Sequence, residues 1–164
     1  MTDAEEQSRR NAYILRETLV SAAINGVISA LFFFAVFGTG APVPVSEMGF
    51  AADFLPQSGA VPIMACIVPG MIARRVQKTG RFGMGNSNPV TARRLFQAAV
   101  TSILIGLALG AVIALALLAS DLAAQSWLTA LVIKIFYGAA LGAWTTWRVL
   151  HRLIGGTPPI RKTS

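Results

Sequence analysis

The sequence has few charged residues for its length. Only 13% of its 164 residues are Asp, Glu, Lys or Arg, whereas 54% are hydrophobic. A soluble domain carries about a quarter charged residues, so this chain lacks the polar surface that a soluble protein of its size needs. The scarcity of charge therefore excludes a soluble globular domain and favours a membrane protein.

Cysteine and histidine are almost absent, with one of each, Cys66 and His151. A single cysteine cannot form a disulfide within the chain, and no second histidine, cysteine or carboxylate is spaced to complete a metal site with His151. No serine, threonine or cysteine has a neighbouring base, and no pair of acids lies within an apolar run. The sequence therefore predicts neither an enzyme, nor a metal site, nor a cofactor.

What the sequence does contain is four long apolar runs. A membrane-spanning helix needs about 20 mainly apolar residues to cross the ~30 Å hydrocarbon core. Such runs lie at about 18–37, 56–73, 95–119 and 127–149. The sequence thus predicts an all-α integral membrane protein, a four-helix bundle over residues 18–150. A cytoplasmic amphipathic segment at 1–17 is expected before it, and a basic cytoplasmic tail at 151–164 after it.

The segments between these runs differ sharply in charge. Segment 74–94 has six basic residues and no acid, whereas 38–55 and 120–126 contain acids and no basic residue. Since loops rich in Lys and Arg stay in the cytoplasm, we predict that both termini and 74–94 are cytoplasmic. The same six residues could also bind anionic lipid head groups or a cytoplasmic partner, although topology alone accounts for them. The charge of +7 has the same origin and does not indicate nucleic-acid binding. The six are Arg74, Arg75, Lys78, Arg81, Arg93 and Arg94.

Small residues recur at every fourth position in three of the runs. This spacing places them on one helix face, where they allow helix backbones to approach closely. The sequence therefore predicts a compact bundle, an interface between copies of the chain, or both. The glycines at these positions are Gly26, Gly106, Gly110, Gly138 and Gly142.

The second run differs because it contains Pro62 and Pro69. Each proline removes a hydrogen bond of the helix, and in a bilayer the freed carbonyls must find partners in neighbouring helices or water. We therefore expect a kinked helix that packs inside the bundle. The kink is either structural or part of a gate or lined cavity.

Lys134 is the one charged residue in the stretch 129–144 of the fourth run. It shares a four-residue spacing with Gly138 and Gly142, so it is expected to point towards a neighbouring helix, although its long side chain could instead reach the outer head groups. Polar residues of the first run that could meet it are Ser21, Asn25 and Ser29. The acids expected on the outer side, as possible partners, are Asp53, Asp121 and Glu47.

The two halves of the chain show a faint similarity, with "ARRV" at 73–76 matching "TWRV" at 146–149. A repeat of this kind predicts two parallel helical hairpins. Residues 18–76 also resemble a family of short two-helix bacterial inner-membrane proteins of unknown function. The shared features are a serine-rich first span and a second span that closes with Pro69, Arg74 and Arg75. The resemblance implies the bacterial inner membrane and no particular activity.

Two classes of function remain open. The first is a non-catalytic accessory or scaffold subunit, which associates with itself or with a larger membrane complex through its small-residue faces. The second is a small transporter or channel that works as an oligomer, because four helices enclose little volume. A lone inward lysine without a buried carboxylate would then favour an anion over a cation.

Overall fold

The structure is a computed structural model that describes residues 3–46, 49–78, 92–120 and 122–154. Within these residues the chain forms four helices and one pair of two-residue strands. Their order is α1 (Asp3–Phe37), β1 (Val43–Pro44), α2 (Phe54–Lys78), α3 (Ala92–Leu118), β2 (Ala124–Gln125) and α4 (Trp127–Ile154). The predicted all-α fold with four helices is confirmed.

Helix α1 continues without a break through residues 3–17, which the sequence sets apart as a separate segment. Its 35 residues measure about 52 Å at 1.5 Å per residue, which is more than the hydrocarbon core requires. The helix ends at Phe37 and is followed by Gly38, whose φ of 64° is a left-handed conformation that glycine adopts without strain. The Gly38 amide donates to the Phe34 carbonyl at 3.0 Å, so a carbonyl of the last turn has a partner.

Helices α2 and α4 form the inner pair of the bundle. Helix α1 packs along α4 and α3 packs along α2, whereas α1 barely touches α2 and α3 barely touches α4. Of the helix pairs that follow each other in the chain, α2 and α3 alone pack extensively among the described residues. Each half of the proposed repeat contributes one inner and one outer helix, and the helices of one half pack against those of the other.

Three helices are long and apolar enough to cross a membrane, over Gln7–Phe37, Phe96–Leu118 and Trp127–Arg152. They indicate a membrane protein. These three are counted among the described residues alone, which leave out most side chains of α2 beyond Cys66. The polar side chains of α2 contact the neighbouring helices, which agrees with the prediction that the second run packs inside the bundle.

The segment that precedes α2 and the segment that precedes α4 are joined by the strand pair. Strands β1 and β2 are antiparallel, with Val43 opposite Gln125. The Trp127 indole donates to the Gly38 carbonyl at 3.0 Å, and the fully buried rings of Phe33, Phe50 and Phe54 pack beneath. These contacts hold the first turns of α2 and α4 side by side.

Large apolar side chains cover the outward faces of α1 and α3. Val27 and Leu31 of α1 are 61% and 62% exposed, and Val112 and Leu115 of α3 are 62% and 66% exposed. Soluble monomers rarely expose continuous apolar surface of this extent. In a bilayer these faces contact lipid or other helices.

Candidate functional site

The side chain of Lys134 lies inside the bundle and is 1% exposed. Its Nζ atom is 2.6 Å from Oδ2 of Asp53 and donates to the Asp53 carbonyl oxygen at 3.1 Å. It also lies 4.4 Å from the centroid of the Phe54 ring, a cation–π geometry. The lysine is thus held by one carboxylate, one carbonyl and one aromatic face, and does not extend towards the head groups.

Asp53 owes its position to the chain just before α2. It is the last residue of the turn that precedes the helix, and its amide donates to the Gly49 carbonyl at 3.3 Å. Of the three acids that the sequence offers as partners, the structure brings Asp53 to the lysine. Glu47 and Asp121 lie outside the described residues.

Along the interface of α1 and α4, polar side chains of one helix occupy the space left by glycines of the other. Asn25 and Ser29 are 4% and 2% exposed. A Cβ atom added at Gly142 would overlap the Asn25 amide, and one at Gly138 would overlap the Ser29 hydroxyl. The glycines of α4 therefore serve to admit the polar side chains of α1.

Hydrogen bonds connect these side chains to α2. Gln57 Nε2 donates to Ser29 Oγ at 2.6 Å, and Asn25 Nδ2 lies 3.2 Å from Ser21 Oγ. The Thr146 hydroxyl is 2.7 Å from Ser21 Oγ and 3.2 Å from the Ala65 carbonyl oxygen. We call this row from three helices the polar seam; its members are Ser21, Asn25, Ser29, Gln57 and Thr146.

A second close contact joins α2 to α3. The Ser58 hydroxyl is hydrogen bonded to the Phe54 carbonyl and to the Tyr137 hydroxyl. A Cβ at Gly110 would overlap the Ser58 side chain, and a Cβ at Gly106 would lie 2.5 Å from the Ser58 carbonyl oxygen. Close packing between α2 and α3 thus depends on these two glycines.

Gly26, by contrast, is at ordinary van der Waals distance from α4. A Cβ there would lie 3.6 Å from Ala139 Cβ and from Ile135 Cγ2. The same four-residue spacing therefore contains positions that need glycine and one position that accepts a larger residue.

The remaining predicted residues lie on α2 and in the basic segment. Pro62 is buried against α3, and α2 continues as one helix through its three prolines, Pro56, Pro62 and Pro69. Arg93 is exposed. Segment 79–91, which contains Arg81, lies outside the described residues, as do the side chains of Pro69, Arg74, Arg75, Lys78 and Arg94.

Sequence reasoning missed four polar residues that join the helices by hydrogen bonds, although signals for two of them exist. Thr146 continues the four-residue spacing of Lys134, and Gln57 lies one helical turn after Asp53. The other two, Ser58 and Tyr137, have no such signal, because their contact depends on how α2 and α4 pack. Within the described residues, Gln57 Oε1 and Thr145 Oγ1 are buried without a hydrogen-bond partner.

No cluster of three or more His, Cys, Asp or Glu side chains that could hold a metal ion occurs among the described residues. Compared with known proteins, the chain matches no protein-family model, no curated protein and no solved structure. Its function is therefore argued from its own geometry.

Proposed function

We propose that the protein is a non-catalytic accessory or scaffold subunit of the bacterial inner membrane that crosses the bilayer several times, with both termini in the cytoplasm. The pairing of Lys134 with Asp53 is the main support for this proposal. An intramembrane charge usually marks a pathway or binding site, but here a carboxylate of the same chain neutralises it. The interior then serves to hold the helices together.

The polar seam supports the same function. The Thr146 hydroxyl links α4 to α1 and α2, and Gln57 links α2 to Ser29 of α1. A substrate that entered this interface would have to replace bonds between helices and separate close glycine contacts. The seam is therefore suited to fixing the register of the helices.

The outward faces of α1 and α3 are the surfaces through which such a subunit would associate. They flank the inner pair on either side and are apolar, with Val27 and Val112 at their exposed centres. A second copy or a larger membrane complex would cover part of one face, and lipid would cover the other. In this arrangement the basic segment 74–94 lies at the cytoplasmic surface, where it binds anionic lipid head groups.

Cysteine cross-linking in native membranes tests this proposal. Val27→Cys and Val112→Cys form a matched pair, since the two valines have almost equal exposure. Each is placed in a Cys66→Ala background, which removes the one native cysteine. We expect one variant to give a disulfide-linked dimer or a discrete larger adduct on mild oxidation, and the other to remain monomeric.

Purification in mild detergent provides the second measurement. Size-exclusion chromatography with light scattering should give a mass above that of one 17.3 kDa chain, and mass spectrometry identifies any partner that co-purifies in constant ratio. A monomer in detergent, together with no cross-link from either cysteine, would contradict the proposal.

A small oligomeric transporter or channel remains the second candidate. It is favoured by the length of the polar seam. The seam begins at Gln57 of α2, one turn from Asp53, and ends at Thr146 of α4, about three turns beyond Lys134. A lysine without a carboxylate partner would favour an anion as the substrate. The ion pair of Lys134 with Asp53 removes that reason, so the geometry favours neither sign of charge.

Ion flux into proteoliposomes separates the two candidates. A transporter should carry a potassium, sodium or chloride flux that Thr146→Val or Gln57→Leu reduces. A scaffold should give no flux above empty vesicles for any of the three ions.

A further inference from the structure

At the inner end of α4, aromatic and basic side chains share one helix face. Trp144, Arg148 and Arg152 are spaced by four residues, as are Trp147 and His151, which places them on two adjacent rows of the same side. The other side of these turns is closed, because the side chains of Thr145, Thr146, Val149 and Leu150 are all fully buried. The face with the arginines is thus the one that α4 presents outwards.

Two of the basic side chains rest on tryptophan rings. The Arg148 guanidinium carbon lies 5.1 Å from the centroid of the Trp144 ring. The ring centroids of His151 and Trp147 are 4.7 Å apart. Helical side chains lean towards the N-terminus, so each basic group lies over the tryptophan one turn nearer the bilayer centre. The rings therefore hold these groups at the membrane boundary.

The depth of this face follows from the two ends of α4. Trp127 begins the helix and Trp147 lies 20 residues further on, which corresponds to about 30 Å. That length equals the hydrocarbon thickness, and tryptophan prefers the membrane boundary. Arg148, His151 and Arg152 therefore lie at the level of the phosphates on the opposite side from Trp127.

The charge on α4 has one sign. The helix contains no Asp or Glu, so neither arginine has an acid on its own helix. The antiparallel neighbour α1 brings the basic residues Arg9, Arg10 and Arg16 to this end, together with acids that include Glu5 and Glu17. On this face of α4, basic side chains lie against tryptophan rings, and the same helix contributes no acid.

We infer that this face binds the head group of an anionic phospholipid. The phosphate would lie between Arg148 and Arg152, one turn apart, since a guanidinium matches a phosphate with two parallel hydrogen bonds. Trp147, which is 48% exposed, would pack against the glycerol and upper acyl chain. Topology requires basic residues here, but it does not require that they stack on rings. This site is separate from the basic segment 74–94.

Thermal unfolding in detergent tests the inference with phosphatidylglycerol, phosphatidylcholine and inorganic phosphate as probes. Phosphatidylglycerol should raise the Tm of the full chain, and the other two should not. Arg148→Gln/Arg152→Gln should lose at least half of that rise. The matched control is Arg9→Gln/Arg16→Gln, which removes two exposed arginines from α1 and should keep the full rise.

Trp147→Leu provides a second variant that leaves the charge unchanged and should also reduce the rise. If the double arginine variant does not fold, Arg152→Gln alone, at an exposed position, takes its place. Native mass spectrometry should show fewer phosphatidylglycerol molecules retained by the variants than by the control. An equal loss in the control would reduce the effect to net charge, and an equal rise with inorganic phosphate would make the ligand a free anion. Either result, or an unchanged rise in the α4 variants, would overturn the inference.

Discussion

The ammonium group of Lys134 on α4 and the carboxylate of Asp53 before α2 form an ion pair of 2.6 Å inside the bundle. The pair joins the two inner helices at the end of the bundle where α2 and α4 begin. Lys134 is almost fully enclosed, whereas Asp53 is 17% exposed. The carboxylate thus gives the lysine a partner that remains partly accessible at this end of the bundle.

Loss of the lysine should destabilise the protein. Lys134→Met removes the cation and leaves a partly buried carboxylate without its partner, at a cost of about 3 kcal/mol. Thermal unfolding in detergent should show a clear fall in Tm. The double variant Lys134→Met/Asp53→Asn should recover much of it, since no unpaired charge remains. Arg93→Met, at an exposed basic position, should leave the Tm unchanged. An unaffected Tm in Lys134→Met would mean that the ion pair contributes nothing to stability.

Two glycine substitutions should have opposite outcomes. Gly110→Ala places a methyl group against Ser58 and 3.0 Å from the Phe54 carbonyl oxygen, and overpacking of this kind costs about 1–3 kcal/mol. Gly26→Ala meets only ordinary contacts and removes a helix-weakening glycine. Unfolding by denaturant in mixed micelles should rank Gly110→Ala well below the unmodified chain and Gly26→Ala equal to it or above. Equal stability of the two variants would refute the close-packing argument.

The hydroxyl of Thr146 should contribute measurably to the association of three helices. Thr146→Val keeps the side-chain shape and removes the group that bridges Ser21 and the Ala65 carbonyl, at about 1 kcal/mol in a membrane protein. Thr101→Val is the control, because the Thr101 hydroxyl bonds only within α3, to the Gln97 carbonyl. Comparison of the two unfolding midpoints checks this prediction, and equal midpoints would count against a role for the seam.

The predicted orientation is tested by reporter fusions. A fusion at Ser164 should be active with a cytoplasmic reporter, and an insertion between Thr39 and Ala41 should be active with an external one. The two glycines of that loop with positive φ, Gly38 and Gly40, have open space around them. The reverse pattern of activity would overturn the orientation.

The direction of Lys134 could be predicted from the sequence, whereas its partner could not. The four-residue spacing with Gly138 and Gly142 places the lysine on the packing face of α4, and the structure has it there. Three acids were equally plausible from sequence, because nothing in the spacing says which outer residue lies at the start of α2. The choice of Asp53 depends on the strand pair and the aromatic cluster, and these are contacts between distant parts of the chain.

Helix pairing was beyond the reach of the sequence for the same reason. Apolar runs show which segments are buried, but they do not show that α1 packs on α4 and α3 on α2. The glycine positions carry part of that information. Gly142 leaves space for the side chain of Asn25, and Gly110 leaves space for that of Ser58. Many other residues of these helices would fit into the same spaces.

The position of α2 has a consequence for how the protein is made. Asp53 and Lys134 are separated by 81 residues, so at 5–20 residues per second the ribosome produces the lysine roughly 4–16 s after the aspartate. During that interval α2 has neither its ion-pair partner nor Tyr137, whose hydroxyl is hydrogen bonded to Ser58. Its stable integration must therefore wait for the C-terminal half of the chain, and a nascent protein cut short before residue 134 should leave α2 open to extraction from the membrane or to proteolysis.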